Sequence, residues 1–230
     1  MNEIFWKNFL EKFLGKINIY HITELFLVMD ESTLKNILNK IASVNPKYRL
    51  EDAVSMIPGL IQFMDNPSEE LQLAAVDEDG WAIRYIQNPS EKVQIAAVNK
   101  YGSSIQFIIQ NGIIPSEGVQ VAAMNENGYV IRYIQNPSEQ VQLAAVKENG
   151  YAIKYITQQG IIPSKEVQLA AVKENGYAIQ FILNPSEQVQ LAAVKQNGWA
   201  IEYIQNPTEM VKKTSEREIE RERVINQSDI

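Results

Sequence analysis

Hydrophobic residues fall into the same two-part pattern six times between residues 67 and 206. A run with apolar positions three and four apart is followed, past a glycine, by a short run that is apolar almost all round. The first spacing predicts an amphipathic helix of about ten residues. The second predicts a shorter helix, buried on most sides, that cannot hold itself together alone in water. The shared unit reads Pro-Ser-Glu-x-Val-Gln-Leu-Ala-Ala-Val-x-x-Asn-Gly-Tyr-Ala-Ile-x-Tyr-Ile. It opens at Pro67, Pro89, Pro115, Pro137, Pro163 and Pro185, with spacings of 22, 26, 22, 26 and 22 residues. The long units close on Gln110-Asn111-Gly112-Ile113-Ile114 and Gln158-Gln159-Gly160-Ile161-Ile162, so a pair of about 48 residues is a candidate structural period.

Start and stop signals fix the helix ends. Asn66, Asn88, Asn136 and Asn184 are candidate helix caps, with proline at the first helical position and glutamate two residues later reaching back. After the long junctions an isoleucine replaces that asparagine, so Ser116 and Ser164 are expected to cap instead. The long helix should stop at Gly80, Gly102, Gly128, Gly150, Gly176 and Gly198, glycine being best able to take the left-handed conformation there. The repeated pairs from Ala74-Ala75 to Ala192-Ala193 are small enough to let another helix approach closely.

The expected fold is all-α, an α-solenoid of two-helix repeats of about 22–26 residues with helical caps at both ends. A helical cap is expected over 1–49. Repeats follow over 50–206: a degenerate unit at 50–66, then 67–88, 89–114, 115–136, 137–162, 163–184 and 185–206. Within the cap, Phe5, Trp6, Phe9, Leu10, Phe13, Leu14 and Ile17 form one broad apolar face opposite Lys7, Glu11, Lys12 and Lys16. That helix either covers the end of the core or binds a membrane or partner. Ser32 through Ile41 supplies a second helix. Residues 207–230 open a seventh unit whose Lys212 and Lys213 make a polar terminal helix, with Glu218–Arg221 and Glu220–Arg223 pairs along it and a frayed end.

Charge narrows the partners. The net charge is −7, and residues 67–206 hold 9 basic against 14 acidic groups without a basic stripe, so nucleic acid is a poor ligand. With no cysteine, disulfides and thiolate chemistry are excluded. No stretch has the apolar length of a membrane span or signal peptide, which points to a cytoplasmic protein.

No catalytic constellation emerges, and no enzyme activity, cofactor or metal is expected. The single histidine, His21, lies between Tyr20 and Ile22 at a junction of helices, a packing position. Asp77-Glu78-Asp79-Gly80 lacks the ordered spacing of a calcium loop and reads as a variant of Lys-Glu-Asn-Gly. The glutamine row Gln72, Gln94, Gln120, Gln142, Gln168 and Gln190 could bind extended peptide, but is better explained by amides satisfying a neighbouring unit's helix terminus. Two aromatic rows, Trp81, Tyr129, Tyr151, Tyr177 and Trp199, and Tyr85, Phe107, Tyr133, Tyr155, Phe181 and Tyr203, could form a binding platform, but within a short buried helix are better read as core. Ser103 breaks the first and leaves a notch. One position in the short helix varies freely: Arg84, Gln106, Arg132, Lys154, Gln180 and Glu202. A framework repeats while a recognition surface differs, so these six are the candidate partner-binding residues. The outer-helix row Glu70, Lys92, Gly118, Gln140, Glu166 and Gln188 also varies and reads as a solvated face.

The phrase Leu-Ala-Ala-Val-Lys-Glu-Asn-Gly-Tyr-Ala-Ile at 143–153 and 169–179 resembles the repeat of an uncharacterised domain family. That family is found in bacteria, protists and viruses and has units of the form AAVKQNG-aromatic-A-L. HEAT-like solenoids are more distant in pattern. The resemblance covers residues 67–206 and implies helical repeats without implying a ligand. The expected function is a protein-interaction scaffold presenting a curved surface, one version being a phage or pathogen inhibitor that sequesters a host protein complex. Two alternatives are a small-molecule or nucleotide binder using the Ser103 notch or a groove, and a self-assembling structural protein forming homo-oligomers.

Overall fold

The computed structural model describes residues 57–228, together with positions 32, 35, 54 and 55. The expected cap over 1–49 and His21 therefore lie outside the described residues, apart from helical positions at Ser32 and Lys35. Lys35 Nζ sits 2.9 Å from Asp65. All regular structure among the described residues is helical. The chain divides into two compact units, one ending at Lys100 and the other beginning at Tyr101.

The first unit contains a 3₁₀ helix η1 (Pro58–Phe63), helix α1 (Glu69–Glu78), η2 (Gly80–Tyr85) and α2 (Glu91–Lys100). The second opens with η3 (Gly102–Ser104), which runs on as α3 (Ile105–Gln110). Then come α4 (Glu117–Glu126), η4 (Gly128–Tyr133) and α5 (Glu139–Glu148). Next are η5 (Gly150–Ala152), continued by α6 (Ile153–Gln158), then α7 (Lys165–Glu174) and η6 (Gly176–Phe181). It ends with α8 (Glu187–Gln196), η7 (Gly198–Tyr203) and α9 (Glu209–Ser228). In this unit α4, α5, α7, α8 and α9 pack each on the next, and η4 to η7 likewise follow one another. Two layers result, one of long helices and one of short.

The helix starts differ from the expectation. Asn66, Asn88, Asn136 and Asn184, with Asn206, have φ between +49° and +54°, so they turn the chain out of the short helix and cap nothing. Asparagine tolerates this left-handed conformation better than other residues with a Cβ. Proline follows outside the helix, and the next residue is the cap: Ser116, Ser138 and Ser164 accept weakly from Val119, Val141 and Val167 N–H. The first helical residue is glutamate in five of the six repeats and Lys165 in the other. Each glutamine of the repeated row donates Nε2 to its own unit's proline carbonyl at 2.9–3.0 Å, from Gln72 to Pro67 through Gln190 to Pro185. The row thus fastens the turn before its own helix, where a bond to a neighbouring unit was expected.

The repeat glycines are also not left-handed helix ends. Among described glycines only Gly112 (φ +79°) and Gly160 (φ +77°), in the long junctions, take that conformation. Gly128, Gly150, Gly176 and Gly198 open the 3₁₀ helices, capped by Asn127, Asn149, Asn175 and Asn197, whose Oδ1 accepts from the N–H two residues on. A Cβ at Gly102, Gly150 or Gly176 would lie 2.5–2.6 Å from the carbonyl oxygen of Ala123, Ala171 or Ala193 in the following repeat. At Gly128 it would lie closer still to the Ala145 oxygen. The second alanine of each pair is fully buried there, so glycine and alanine recur together because two backbones meet at that seam.

A 3₁₀ helix has three residues per turn, which decides what faces the core. Gly128, Ile131 and Ile134, spaced by three, are buried, while Tyr129 and Arg132 turn outward. The same division holds for Gly176, Ile179 and Ile182 against Tyr177 and Gln180. A buried isoleucine of this kind contributes about 1.5–3 kcal/mol. The final helix substitutes for a seventh repeat. Ser215 stands where the buried alanine would be and donates to Gly198 O at 2.9 Å. The spaced pairs Glu218–Arg221 and Glu220–Arg223 form at 3.6 and 3.7 Å, and the helix reaches Ser228.

Candidate functional site

The outward edge of the short helices carries the six varying positions and both aromatic rows. Arg84 lies on the first unit, exposed; its Nε donates to Trp81 O at 2.9 Å and its guanidinium stands 5.9 and 5.4 Å from the Trp81 and Tyr85 ring centres. The other five lie on the second unit, where Arg132, Gln180 and Glu202 are exposed and Gln106 and Lys154 half-buried. Sequence reasoning placed the aromatics in the core, and this is corrected. Trp81, Tyr85, Trp199 and Tyr203 are 40–47% exposed and the rest half-buried. The buried edge of each short helix is filled by its glycine, small residue and isoleucines, as at Gly128, Val130, Ile131 and Ile134, and the first ring, where there is one, lies off that edge.

Within the second unit the rings form a ladder. Tyr129 meets Tyr155 edge-on at 5.9 Å, Tyr151 meets Phe181 at 5.9 Å, and Tyr177 meets Tyr203 at 5.8 Å, with interplanar angles of 89°, 72° and 86°. Each contact joins the first aromatic of one repeat to the second of the next and is worth about 0.5–1.5 kcal/mol beyond area burial. Cations lie over this ladder. The Arg132 guanidinium is 4.8 Å from the Tyr133 ring centre, with Nη2 donating to the Tyr133 hydroxyl at 2.9 Å. That hydroxyl, first among several causes, raises the Arg132 pKa above its usual value. Lys154 Nζ lies 6.0 Å from Tyr155 and 5.8 Å from Phe181, bridging two repeats. Gln180 instead donates Nε2 to Tyr177 O at 2.9 Å, leaving its Oε1 as the outward group. From Arg132 to Glu202 the stripe passes from basic through neutral to acidic.

Other candidates fare differently. Each glutamine of the row commits one amide N–H to a proline carbonyl, and Gln94 and Gln142 are buried. Ser103 is half-buried and Ser104 fully buried. Asp79 Oδ1 accepts from Trp81 N–H at 2.9 Å, as a variant of the asparagine cap should. The outer row Glu70, Lys92, Gly118, Gln140, Glu166 and Gln188 is exposed throughout. The Glu70 carboxyl is held below its ordinary pKa by its own backbone N–H and then by Ser68. A groove of 620 Å³ opens between α5 and α7, bounded by Leu143, Lys147, Lys165 and Lys173. A hollow of 440 Å³ adjoins the stripe at Gln180, Phe181, Leu183 and Tyr203. Sequence reasoning passed over Glu148 and Gln196, whose side chains accept from Gly128 and Gly176 N–H of the preceding repeat.

No group of three or more His, Cys, Asp or Glu side chains able to hold a metal occurs among the described residues. None of the described helices is long and apolar enough to cross a membrane. Comparison with family models, curated proteins and solved structures returned no match.

Proposed function

We propose that the chain is a protein-interaction scaffold, a capped α-solenoid over residues 50–206 whose short-helix edge is the binding face. The observation that carries this reading is the aromatic ladder of the second unit. It is outward-facing, joined from repeat to repeat by edge-on rings, and topped by side chains that change charge while everything beneath them repeats. A structural seam has no use for such variation. A partly exposed edge of tyrosines with an arginine over it has the residue types in which protein interfaces are enriched. The nearest-neighbour packing of long and short helices within the second unit supports the solenoid reading. An inhibitor that sequesters a complex would be one use of such a face.

The test is affinity capture from the native source with the partner identified by mass spectrometry. Arg84, Arg132 and Lys154 changed together to Glu should lose the partner. Lys147, Lys173 and Lys195, exposed on the long helices, changed together to Glu should keep it. Equal recovery by both variants would remove the stripe as the site.

A further inference from the structure

The charge order of the stripe specifies more than a generic partner. Within the second unit Arg132, Lys154, Gln180 and Glu202 occupy one position in four consecutive repeats, giving the order positive, positive, neutral, negative. Neither Arg132 nor Lys154 meets a carboxylate among the described residues; both lie over rings instead. Packed helices stand about 8–10 Å apart, and a segment in the extended polyproline II form advances about 3.1 Å per residue with three residues per turn, so every third side chain lies on one face. One repeat therefore matches about three residues of an extended segment, and four repeats match about ten. The ladder has no gap between repeats, because each edge-on ring contact spans one. At the third step Gln180 presents a carbonyl oxygen, an acceptor for an amide N–H.

We infer, building on the interaction reading above, that the stripe takes an extended protein segment with acidic residues at its first and fourth positions, an amide residue at the seventh and a basic residue at the tenth. Carboxylates face Arg132 and Lys154, and the base faces Glu202. Apolar residues between them lie on the tyrosine and phenylalanine rings. Single-stranded nucleic acid also stacks on aromatic and cationic platforms. Here an acid, Glu202, ends the row where a phosphate backbone would need another cation. Charge complementarity thus favours the peptide.

The experiment measures binding of labelled ten-residue peptides to the full chain by fluorescence anisotropy. The matched peptide carries Asp, Glu, Asn and Lys at positions one, four, seven and ten, with proline and serine between. The permuted peptide has the same composition but Lys at four and the second acid at ten, so neither chain direction restores the match. Two charge pairs reversed in sign, at Lys154 and Glu202, should favour the matched peptide by about tenfold. Arg132→Glu with Lys154→Glu should abolish that preference. Equal binding of the two peptides, or a preference that survives the double substitution, overturns the inference. So does a ten-nucleotide thymidine oligomer that binds more tightly than the matched peptide. If the peptides bind alike while charge reversal still releases the native partner, the three-residue register falls and the interaction face stands. If neither responds, both fall.

Discussion

The two edges of a single short helix obey opposite rules. On the inner edge Gly128 presses against the Ala145 backbone of the next repeat, and the same two residue types recur at every such seam through Gly176 and Ala193. On the outer edge, one turn away, Arg132 lies over Tyr133 and is replaced by Lys, Gln and Glu in the repeats that follow. Where backbones meet, one atom too many has nowhere to go, so the residue type is fixed. Where side chains meet solvent, geometry leaves the choice open and variation carries information.

The sharpest way to break this contrast is Gly128→Ala. The new methyl would meet a carbonyl oxygen that cannot swing away and would disturb the Gly128 N–H bond to Glu148. A loss of about 3 kcal/mol is expected, lowering Tm by roughly 6–12 °C in thermal denaturation. A loss below about 1 kcal/mol would mean that the repeats can slide apart, and that the seam is not what fixes glycine there.

A smaller effect separates two reasons for the same amino acid. Gly160 has open space around its Cβ direction but a φ of +77°. Gly160→Ala should cost about 1–2 kcal/mol, from backbone conformation alone. Gly160→Asn should cost less, because asparagine already holds φ near +50° in the short junctions. If urea denaturation gives both variants the same midpoint, the conformational explanation fails.

These cases also mark what the sequence revealed. The repeat, its alternating 22- and 26-residue spacing, the helical class and the serine caps at 116 and 164 could all be read from residue types and periodicity. So could the varying position later found on the exposed edge. The function of each glycine could not, because a left-handed turn and a close backbone approach call for the same letter. Asn136 was misread as a cap for a related reason: a cap and a left-handed turn share a preference for asparagine. The aromatics were misplaced because a run that is apolar on nearly every side gives no sign of which side the glycine, alanine and isoleucine will bury. The partner of each glutamine was unreadable too, since an amide's reach covers both its own proline and the next unit.

The smallest expected effect bears most directly on function. Arg132→Gln with Lys154→Gln removes three cation–ring contacts, each worth about 0.5 kcal/mol at such exposed or half-buried positions, and leaves the edge-on ring pairs in place. Stability should therefore fall by no more than about 2 kcal/mol, less than at the single Gly128 seam. The circular dichroism spectrum of the native state should be unchanged. Lys154 is the more demanding position, because its ammonium lies between Tyr155 of its own repeat and Phe181 of the next. Should Lys154→Gln alone cost more than about 2 kcal/mol, that cation would be a strut between repeats. The charge gradient would then record packing needs, and the contrast between the two edges would dissolve at that step. A cost of about 1 kcal/mol or less would leave Lys154 free to be chosen for what it meets from outside.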